Sequence, residues 1–120
     1  MTETKVTMSV RSVSDSASVI DIQGEITSFA EDVLMDAYTE ATSGGTKVII
    51  LNLDGLEYMN SGGIGLLVTM LIRANRQEQT LSAFGLTEHY QQIFELTRLN
   101  EAIKIYGSES EALAAANGAA

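Results

Sequence analysis

The stretch from Val48 to Leu53 restricts the fold more than any other part of this chain. Its sequence is VIILNL, in which five of the six residues are apolar. A strand with one solvated face alternates apolar and polar residues, whereas a strand covered by helices on both faces has a nearly continuous apolar sequence. The stretch therefore predicts the central strand of a parallel sheet that is largely covered by helices.

Strand-like and helix-like patterns alternate along the rest of the chain. Ser28 is of a type preferred at the start of a helix, and Asp54 followed by Gly55 is typical of a turn. A β-hairpin followed by alternating helices and strands indicates an α/β fold, with a mixed sheet of about five strands and about four helices. The predicted strands are 6–13, 19–22, 48–53, 81–84 and 103–106, and the predicted helices are 29–41, 61–77, 88–97 and 108–117.

Length and charge exclude several classes of function. A chain of 120 residues is long enough for one hydrophobic core, and we expect one domain over residues 1–116 with a tail at 117–120. Sixteen acidic residues against seven basic ones give a formal net charge of −9, which argues against direct binding of nucleic acid. The longest apolar stretch, 62–72, is about half the length needed to span a bilayer, and cysteine is absent. We therefore expect a cytoplasmic protein without membrane insertion or disulfides.

The motif MNSGGIG at Met59–Gly65 is the most informative one for function, and it lies between a predicted strand and a predicted helix. Ser61 stands at the predicted start of this helix, where a serine side chain can accept a hydrogen bond from an unpaired backbone N–H. A phosphate on Ser61 would lie at the positive end of the helix dipole and would add about 1.5 to 2 negative charges. Ser61 is therefore predicted to cap the helix. On the residues alone, a cap without phosphorylation and a phosphorylation switch both remain open.

Catalysis by Ser61 is disfavoured by the same motif. A serine nucleophile on a strand-to-helix elbow has a glycine two residues before it, and Met59 occupies that position. The only histidine, His89, lies in a different predicted segment, and no motif links it to Ser61. A hydrolase is therefore not expected, and His89 is interpreted as a surface or helix-start residue.

The three glycines after Ser61 do not have the spacing of a nucleotide-binding loop. No lysine follows them, and Val68 occupies the position of the third glycine in the dinucleotide fingerprint. We therefore interpret them as glycines that let the turn pack closely against its neighbours. Asp54 follows a central strand as the phosphorylated aspartate of a receiver domain does, but no acidic pair follows the first strand to hold magnesium. Neither a cofactor nor a metal is expected.

The second predicted helix has apolar residues outside its main apolar stripe. At about 100° per residue, the core stripe centres on Ile64, Val68 and Leu71. Leu66 then falls within the polar face, and Met70 lies at the edge of that face. Two interpretations are open, because single exposed apolar side chains are common on protein surfaces and because a partner could cover them.

Three segments together resemble a known protein family. They are LNLDGLEYMNSGGIGLL at 51–67, GEI at 24–26 and FELTRLNEAIKIY at 94–106. The combination resembles bacterial anti-sigma-factor antagonists, whose domain is called the STAS domain and is shared with the cytoplasmic tails of sulfate transporters. The resemblance covers nearly the whole chain, and its most specific part is the segment around Ser61.

The resemblance implies a partner switch that is not an enzyme. In such families the unphosphorylated domain binds a serine kinase that is also an anti-sigma factor, and this binding frees the sigma factor. Phosphorylation of the serine that matches Ser61 weakens the complex, and a metal-dependent phosphatase of the PP2C type removes the phosphate. The alternative is a constitutive interaction module, in a signalling scaffold or a transporter, that uses the same surface without phosphorylation.

The chain departs from the family pattern at two positions. In the family an aspartate often precedes the serine and another often ends the GEI motif, whereas this chain has Asn60 and Thr27 there. Both replacements remove a carboxylate that could help to engage the kinase active site or its nucleotide-bound magnesium. The expected partner-binding residues include these two positions, their neighbours and part of the following helix: Glu25, Thr27, Asn60, Gly62, Gly63, Ile64, Leu66, Met70 and Arg73.

Overall fold

A single five-stranded sheet organises the computed structural model, which describes residues 5–118. The strands lie side by side in sequence order, β1 pairs antiparallel with β2, and the other neighbours pair parallel. The predicted mixed sheet, its initial hairpin and the central position of the third strand are confirmed. The strands are β1 Val6–Ser12, β2 Ala17–Ile26, β3 Val48–Met59, β4 Thr80–Phe84 and β5 Lys104–Tyr106.

Five α-helices accompany the strands within the described residues. A 3-10 turn at Ser28–Ala30 precedes the first helix, and the short fourth helix was not predicted from the sequence. The last helix runs to Gly118, so residues 119 and 120 of the expected tail lie outside the described part of the chain. None of the described helices is long and apolar enough to cross a membrane. The helices are α1 Glu31–Thr42, α2 Ser61–Arg76, α3 Glu88–Leu96, α4 Leu99–Ala102 and α5 Glu109–Gly118.

Helices cover the two faces of the sheet unequally. Residues of α1, α2, α3 and α4 build the larger core on one face, to which β3 contributes Ile49 and Leu51. On the opposite face α5 packs with Ala112 against a smaller core that includes Val48 and Ile50. Because β3 is buried on both faces, its continuous apolar sequence is explained as predicted.

Strand β3 is longer than predicted, because no turn forms at Asp54 and Gly55. Its pairing with β2 continues to the ends of both strands, and two register shifts absorb the extra residues of β3. The predicted turn is therefore wrong, since an irregular strand of the β-bulge type accommodates the glycine. β3 thereby extends beyond the last residue that pairs with β4, which is Asn52 opposite Phe84.

An ion-pair cluster attaches the start of α5 to the sheet. Arg11 on β1 donates to both carboxylate oxygens of Asp21 on β2, at 2.6 and 2.9 Å, and to both of Glu109, at 2.9 and 3.1 Å. Asn52 donates a further hydrogen bond of 2.7 Å to Asp21. The hydrogen bonds from Arg11 are the main reason that the pKa values of both carboxyl groups lie below their ordinary range. The cluster therefore joins β1, β2 and α5.

Candidate functional site

The ends of β2 and β3 bring together the segments around Thr27 and Ser61, which hold most of the predicted site residues. These strands are parallel neighbours, and their last residues, Ile26 and Met59, are paired. Just beyond this pair, the backbone N–H of Asn60 donates to the carbonyl oxygen of Ile26 at 3.4 Å. A Cβ atom on Gly62 would lie 3.1 Å from the Cβ of Ser28. The segment that follows β2 therefore contacts the segment that follows β3.

The start of α2 is capped by Asn60 and not by Ser61. Asn60 has an extended backbone, with φ −106° and ψ −175°, and its side-chain oxygen accepts a hydrogen bond from the N–H of Gly63 at 3.0 Å. Ser61 is the first residue of the helix. The predicted capping role of Ser61 is therefore wrong, because the helix begins one residue earlier than a cap at Ser61 would allow.

Ser61 presents an exposed side chain at the first helical position. Within residues 5–118, the side-chain hydrogen bond that caps this helix is accepted by Asn60, and the Ser61 hydroxyl takes no part in it. A substituent on Oγ of Ser61 would therefore leave the cap intact. A negatively charged substituent would also lie at the positive end of the helix dipole.

Close packing requires two glycines of the motif but not the third. A Cβ atom on Gly63 would overlap the backbone carbonyl oxygen of Ile26 and would lie 2.9 Å from Cγ of Met59. Gly62 approaches the 3-10 turn less closely, since a Cβ atom there would lie 3.1 Å from the backbone nitrogen of Ser28, which is a tight contact without overlap. The predicted packing role is confirmed for both residues. Gly65 differs, because it is exposed and, in the described part of the chain, no atom beyond the nearby backbone of its own helix lies within 4 Å of the place where its Cβ atom would be.

Thr27 caps the 3-10 turn that follows β2. Its hydroxyl oxygen accepts a hydrogen bond from the N–H of Phe29 at 3.2 Å. Because Ser28 lies inside the turn and α1 begins only at Glu31, the prediction that Ser28 caps this helix is wrong. Thr27 and Asn60, the two positions without the carboxylates of the resembling family, are thus both caps. Aspartate, asparagine and threonine are all suited to that role.

The most buried stripe of α2 is rotated from the predicted one, whose residues Ile64, Val68 and Leu71 are half-buried but still pack against the larger core. Leu66 and Met70 are 8% and 0% exposed, so the prediction that they lie at or near solvent is wrong. The buried stripe also includes Gly63 and Ala74, two small residues that the apolar pattern did not mark as core. At Gly63 the backbone of the helix lies directly against the carbonyl group of Ile26, and the side chains on the neighbouring face are less buried.

The less buried face of α2 has an apolar strip formed by Ile64, Val68 and Ile72, which we call the outer strip. Ile64 and Val68 are half-buried and pack partly against the larger core, and Ile72 is 47% exposed. On the adjacent 3-10 turn and α1, Phe29 is 72% exposed and Val33 is 37% exposed. Exposed apolar area therefore does occur near Ser61, but on other residues than Leu66 and Met70.

The charges on α2 differ from those of the chain as a whole. The helix contains no acidic residue although the chain has sixteen, and Arg73 and Arg76 are exposed in its last turn. Glu25 is half-buried on β2, in register with the exposed Tyr58 of β3. Three of the nine predicted partner-binding residues, Gly63, Leu66 and Met70, are buried. The other six are exposed or half-buried: Glu25, Thr27, Asn60, Gly62, Ile64 and Arg73.

Tyr90 on α3 contacts the site and was not predicted. Its hydroxyl oxygen accepts a hydrogen bond from the backbone N–H of Met59 at 2.9 Å, and the side chain is buried. The two residues are 31 positions apart in the sequence, and no motif connects them. Such a contact depends on where the β4–α3 connection leads the chain, and a local sequence pattern does not record it.

The contacts found for the residues considered for other chemistries are with residues other than Ser61. His89 lies on α3 and packs its ring edge-on against Tyr90, with ring centroids 4.9 Å apart. The backbone N–H of Asp54 is bonded to the side chain of Asn52 at 3.0 Å. Among the described residues, no group of three histidine, cysteine or acidic side chains is arranged to hold a metal ion.

Comparisons with known proteins find similar chains. A family model described as "Mlab, STAS domain" matches residues 9–106. The anti-sigma-B factor antagonist of Staphylococcus aureus is 29% identical over 93 residues, which cover 77% of this chain and 86% of that protein. The structure of the Bacillus cell fate determinant SpoIIAA in the phosphorylated form is 20% identical, with a TM-score of 0.71 over 92% of this chain and 99% of that one. A sulfate transporter family protein from Wolinella succinogenes is 17% identical, with a TM-score of 0.77 over 89% of each chain. Both structures share the fold of this chain.

Proposed function

The chain belongs to the STAS domain family, and we propose that it is an anti-sigma-factor antagonist, or a closely related partner-switch protein, controlled by phosphorylation of Ser61. In its unphosphorylated form it binds a serine kinase that also acts as an anti-sigma factor. The kinase phosphorylates Ser61, the complex dissociates, and a phosphatase of the PP2C type restores the unphosphorylated form. The chain itself catalyses no step of this cytoplasmic cycle.

The exposed hydroxyl of Ser61 at the first position of α2 is the observation that supports this proposal. A kinase substrate needs a hydroxyl that can enter the active site of another protein, and a structural cap would be withheld from that reaction. Here the cap is the Asn60 side chain, which bonds to Gly63. Ser61 is therefore available for modification without loss of the helix start.

A phosphate on Ser61 would change the surface next to the outer strip. It would add about 1.5 to 2 negative charges at the start of the helix that carries Ile64, Val68 and Ile72. A partner that covers the strip would have to remove water from that charge, which is unfavourable unless the partner supplies paired donors. Phosphorylation would therefore weaken an apolar interface without altering the fold beneath it.

The absence of carboxylates at Asn60 and Thr27 changes what the kinase must supply, but it leaves the phosphate acceptor Ser61 unchanged. Both side chains are engaged as caps, and neither supplies a negative charge to a nucleotide-bound magnesium ion. The kinase that recognises this chain would therefore provide the metal ligands from its own residues and its nucleotide.

Incubation with the cognate kinase and ATP tests the proposal. Intact-protein mass spectrometry should find one phosphate per chain, and peptide mapping should assign it to Ser61. Ser61→Ala should abolish the labelling, whereas Ser28→Ala is the matched control because Ser28 is an exposed hydroxyl in contact with the same segment. Stoichiometric phosphate on Ser28, or none with a kinase that demonstrably binds the chain, would contradict the proposal.

A second candidate is a constitutive interaction module that uses the same surface without phosphorylation. The outer strip and the 72% exposed Phe29 favour it, because a partner could cover them permanently. The similar fold of a sulfate transporter family protein agrees with this candidate as well. Leu66 and Met70 no longer support it, because both are buried.

Binding measurements with phosphorylated and unphosphorylated protein separate the two candidates. The partner switch requires that chemically verified phosphorylation of Ser61 weakens the complex, whereas a constitutive module binds both forms equally. Val68→Ser combined with Ile72→Ser should weaken the complex in both cases, because both side chains lie in the outer strip. Calorimetry on the wild type and on the double variant, each with and without phosphate on Ser61, decides between the candidates.

A further inference from the structure

Within residues 5–118, the second half of β3 has a strand neighbour on one side only. β2 pairs with β3 along its whole length, but β4 stops pairing at Asn52. There the chain turns away at Gly85, which has φ +82° and lies so close to Asp54 that a Cβ atom would overlap that residue. The residues of β3 that lead to Ser61 are therefore held by a strand on the β2 side alone.

Tyr90 occupies the unpaired side at the end of this segment. Its hydroxyl oxygen accepts the backbone N–H of Met59 at 2.9 Å, and its side chain is only 8% exposed. Met59 is followed by the cap residue Asn60 and then by Ser61. The tyrosine hydroxyl thus replaces the strand carbonyl that would otherwise accept this N–H.

We infer that Tyr90 is a positioning residue for the segment from Met59 to Ser61, which carries the phosphate acceptor. Its hydroxyl fixes the backbone from which Ser61 is presented to a kinase. This inference rests on the proposed function of Ser61. Without the hydroxyl, the N–H of Met59 is left unpaired in a buried place, and the end of β3 gains freedom to move. A kinase would then have to order the segment each time it binds, which raises the cost of association.

Tyr90→Phe tests the inference because it removes the hydroxyl and keeps the ring. Hydrogen exchange measured by NMR on the free protein should show the amide of Met59 exchanging about tenfold faster relative to global unfolding, as expected for one lost hydrogen bond. The kcat/KM for phosphorylation of Ser61 should fall about tenfold as well, mainly through a higher KM, since the segment must be ordered on binding.

Tyr38→Phe is the matched control for a loss of stability alone. The hydroxyl of Tyr38 is buried and donates to the side chain of Gln79 at 2.8 Å, so the same chemical group is lost from α1 instead of from the site. This variant should unfold more easily but should keep the wild-type exchange of Met59 relative to unfolding, and the wild-type KM.

Two results overturn the inference about Tyr90: exchange at Met59 that matches the control variant, or an unchanged KM in Tyr90→Phe. Failure of the proposed function looks different. In that case wild-type Ser61 is not phosphorylated at all, while the exchange measurement on the free protein still decides whether Tyr90 holds the segment.

Discussion

The side chain of Asn60 accepts a hydrogen bond from the backbone N–H of Gly63, at 3.0 Å, across the first turn of α2. This bond separates two roles that were both predicted for Ser61, capping of the helix and presentation of a hydroxyl for phosphorylation. Asn60 stabilises the helix start, and the adjacent Ser61 is left with an exposed hydroxyl. Modification of Ser61 can therefore change an interface while the helix beneath it stays formed.

The division of roles between Asn60 and Ser61 predicts different effects on stability. Asn60→Ala should lower the free energy of unfolding by about 1 kcal/mol, since it removes the cap. Asn60→Asp should retain most of that free energy, because aspartate caps equally well. Ser61→Ala should change it by less than about 0.5 kcal/mol, as is usual for exposed positions. Urea denaturation measures all three variants. A larger loss of unfolding free energy in Ser61→Ala than in Asn60→Ala would show that Ser61 is the cap.

The glycines of the motif should respond oppositely to alanine. Gly63→Ala should destabilise the protein by at least about 2 kcal/mol, because its Cβ atom would overlap the Ile26 carbonyl oxygen. Gly65→Ala should stabilise it by about 0.5–1 kcal/mol, since space is open there and alanine is the better helix former. Thermal unfolding of the two variants provides the comparison. Equal destabilisation would show that Gly65 is also held by packing.

Apolar periodicity was sufficient to predict the architecture but not the rotation of α2. The run at 48–53 places β3 at the centre because a strand covered on both faces has few sequence alternatives. On α2, two apolar stripes compete, and the more buried one includes the small residues Gly63 and Ala74. Small residues appear neutral in an apolar pattern, although Gly63 lies directly against other backbone on the buried face. The motif likewise located the helix start to within one residue, which was too coarse to assign the cap.

The contacts that could not be predicted are those made between distant segments. Asp54 followed by Gly55 has the local chemistry of a turn, but pairing with β2 keeps the segment extended. The hydrogen bond between Tyr90 and Met59 requires two elements that only the completed fold brings together. Local sequence patterns report local preferences, and in both cases a tertiary contact determines the outcome.

The corrected rotation of α2 predicts a contrast between Met70 and Ile72. Met70→Ala should lower the free energy of unfolding by about 2–5 kcal/mol, because its side chain is completely buried. Ile72→Ala should change it by less than about 0.5 kcal/mol, because Ile72 is 47% exposed. Chemical denaturation of both variants is the measurement. Similar losses in the two would indicate that the side chain of Ile72 is also part of the core.

The Arg11 cluster predicts a loss of stability in acid. The pKa values of Asp21 and Glu109 are lowered in the folded protein, chiefly by hydrogen bonds from Arg11. Their contribution is therefore fully present above the unfolded pKa values, near 4, and is lost as the pH falls through the lower folded values. Arg11→Met should reduce stability at pH 7 and flatten its dependence on pH below about 4.

Arg98→Met is the matched control for the acid titration. The ion pair of Arg98 with Glu101 is 4.0 Å long and strongly exposed, so solvent screens it. This variant should therefore keep the steep acid loss of the wild type. Urea midpoints measured from pH 2 to 7 make the comparison, and an equally steep loss in Arg11→Met would show that other carboxyl groups dominate.

Replacement of Ser61 by aspartate should move stability and partner binding in opposite directions. A carboxylate in the first turn of α2 interacts favourably with the helix dipole, so Ser61→Asp should raise the free energy of unfolding by about 0.3–1 kcal/mol. The same charge should weaken the complex with the kinase, because it must be desolvated beside the outer strip.

Thr69→Asp is the control, since it adds an equal charge at an exposed position two turns further along α2. Calorimetry should find a smaller loss of affinity for Thr69→Asp. If Ser61→Asp binds with the affinity of the wild type, Ser61 does not lie in the interface. Equal losses of affinity in both variants would show that the effect is general charge repulsion.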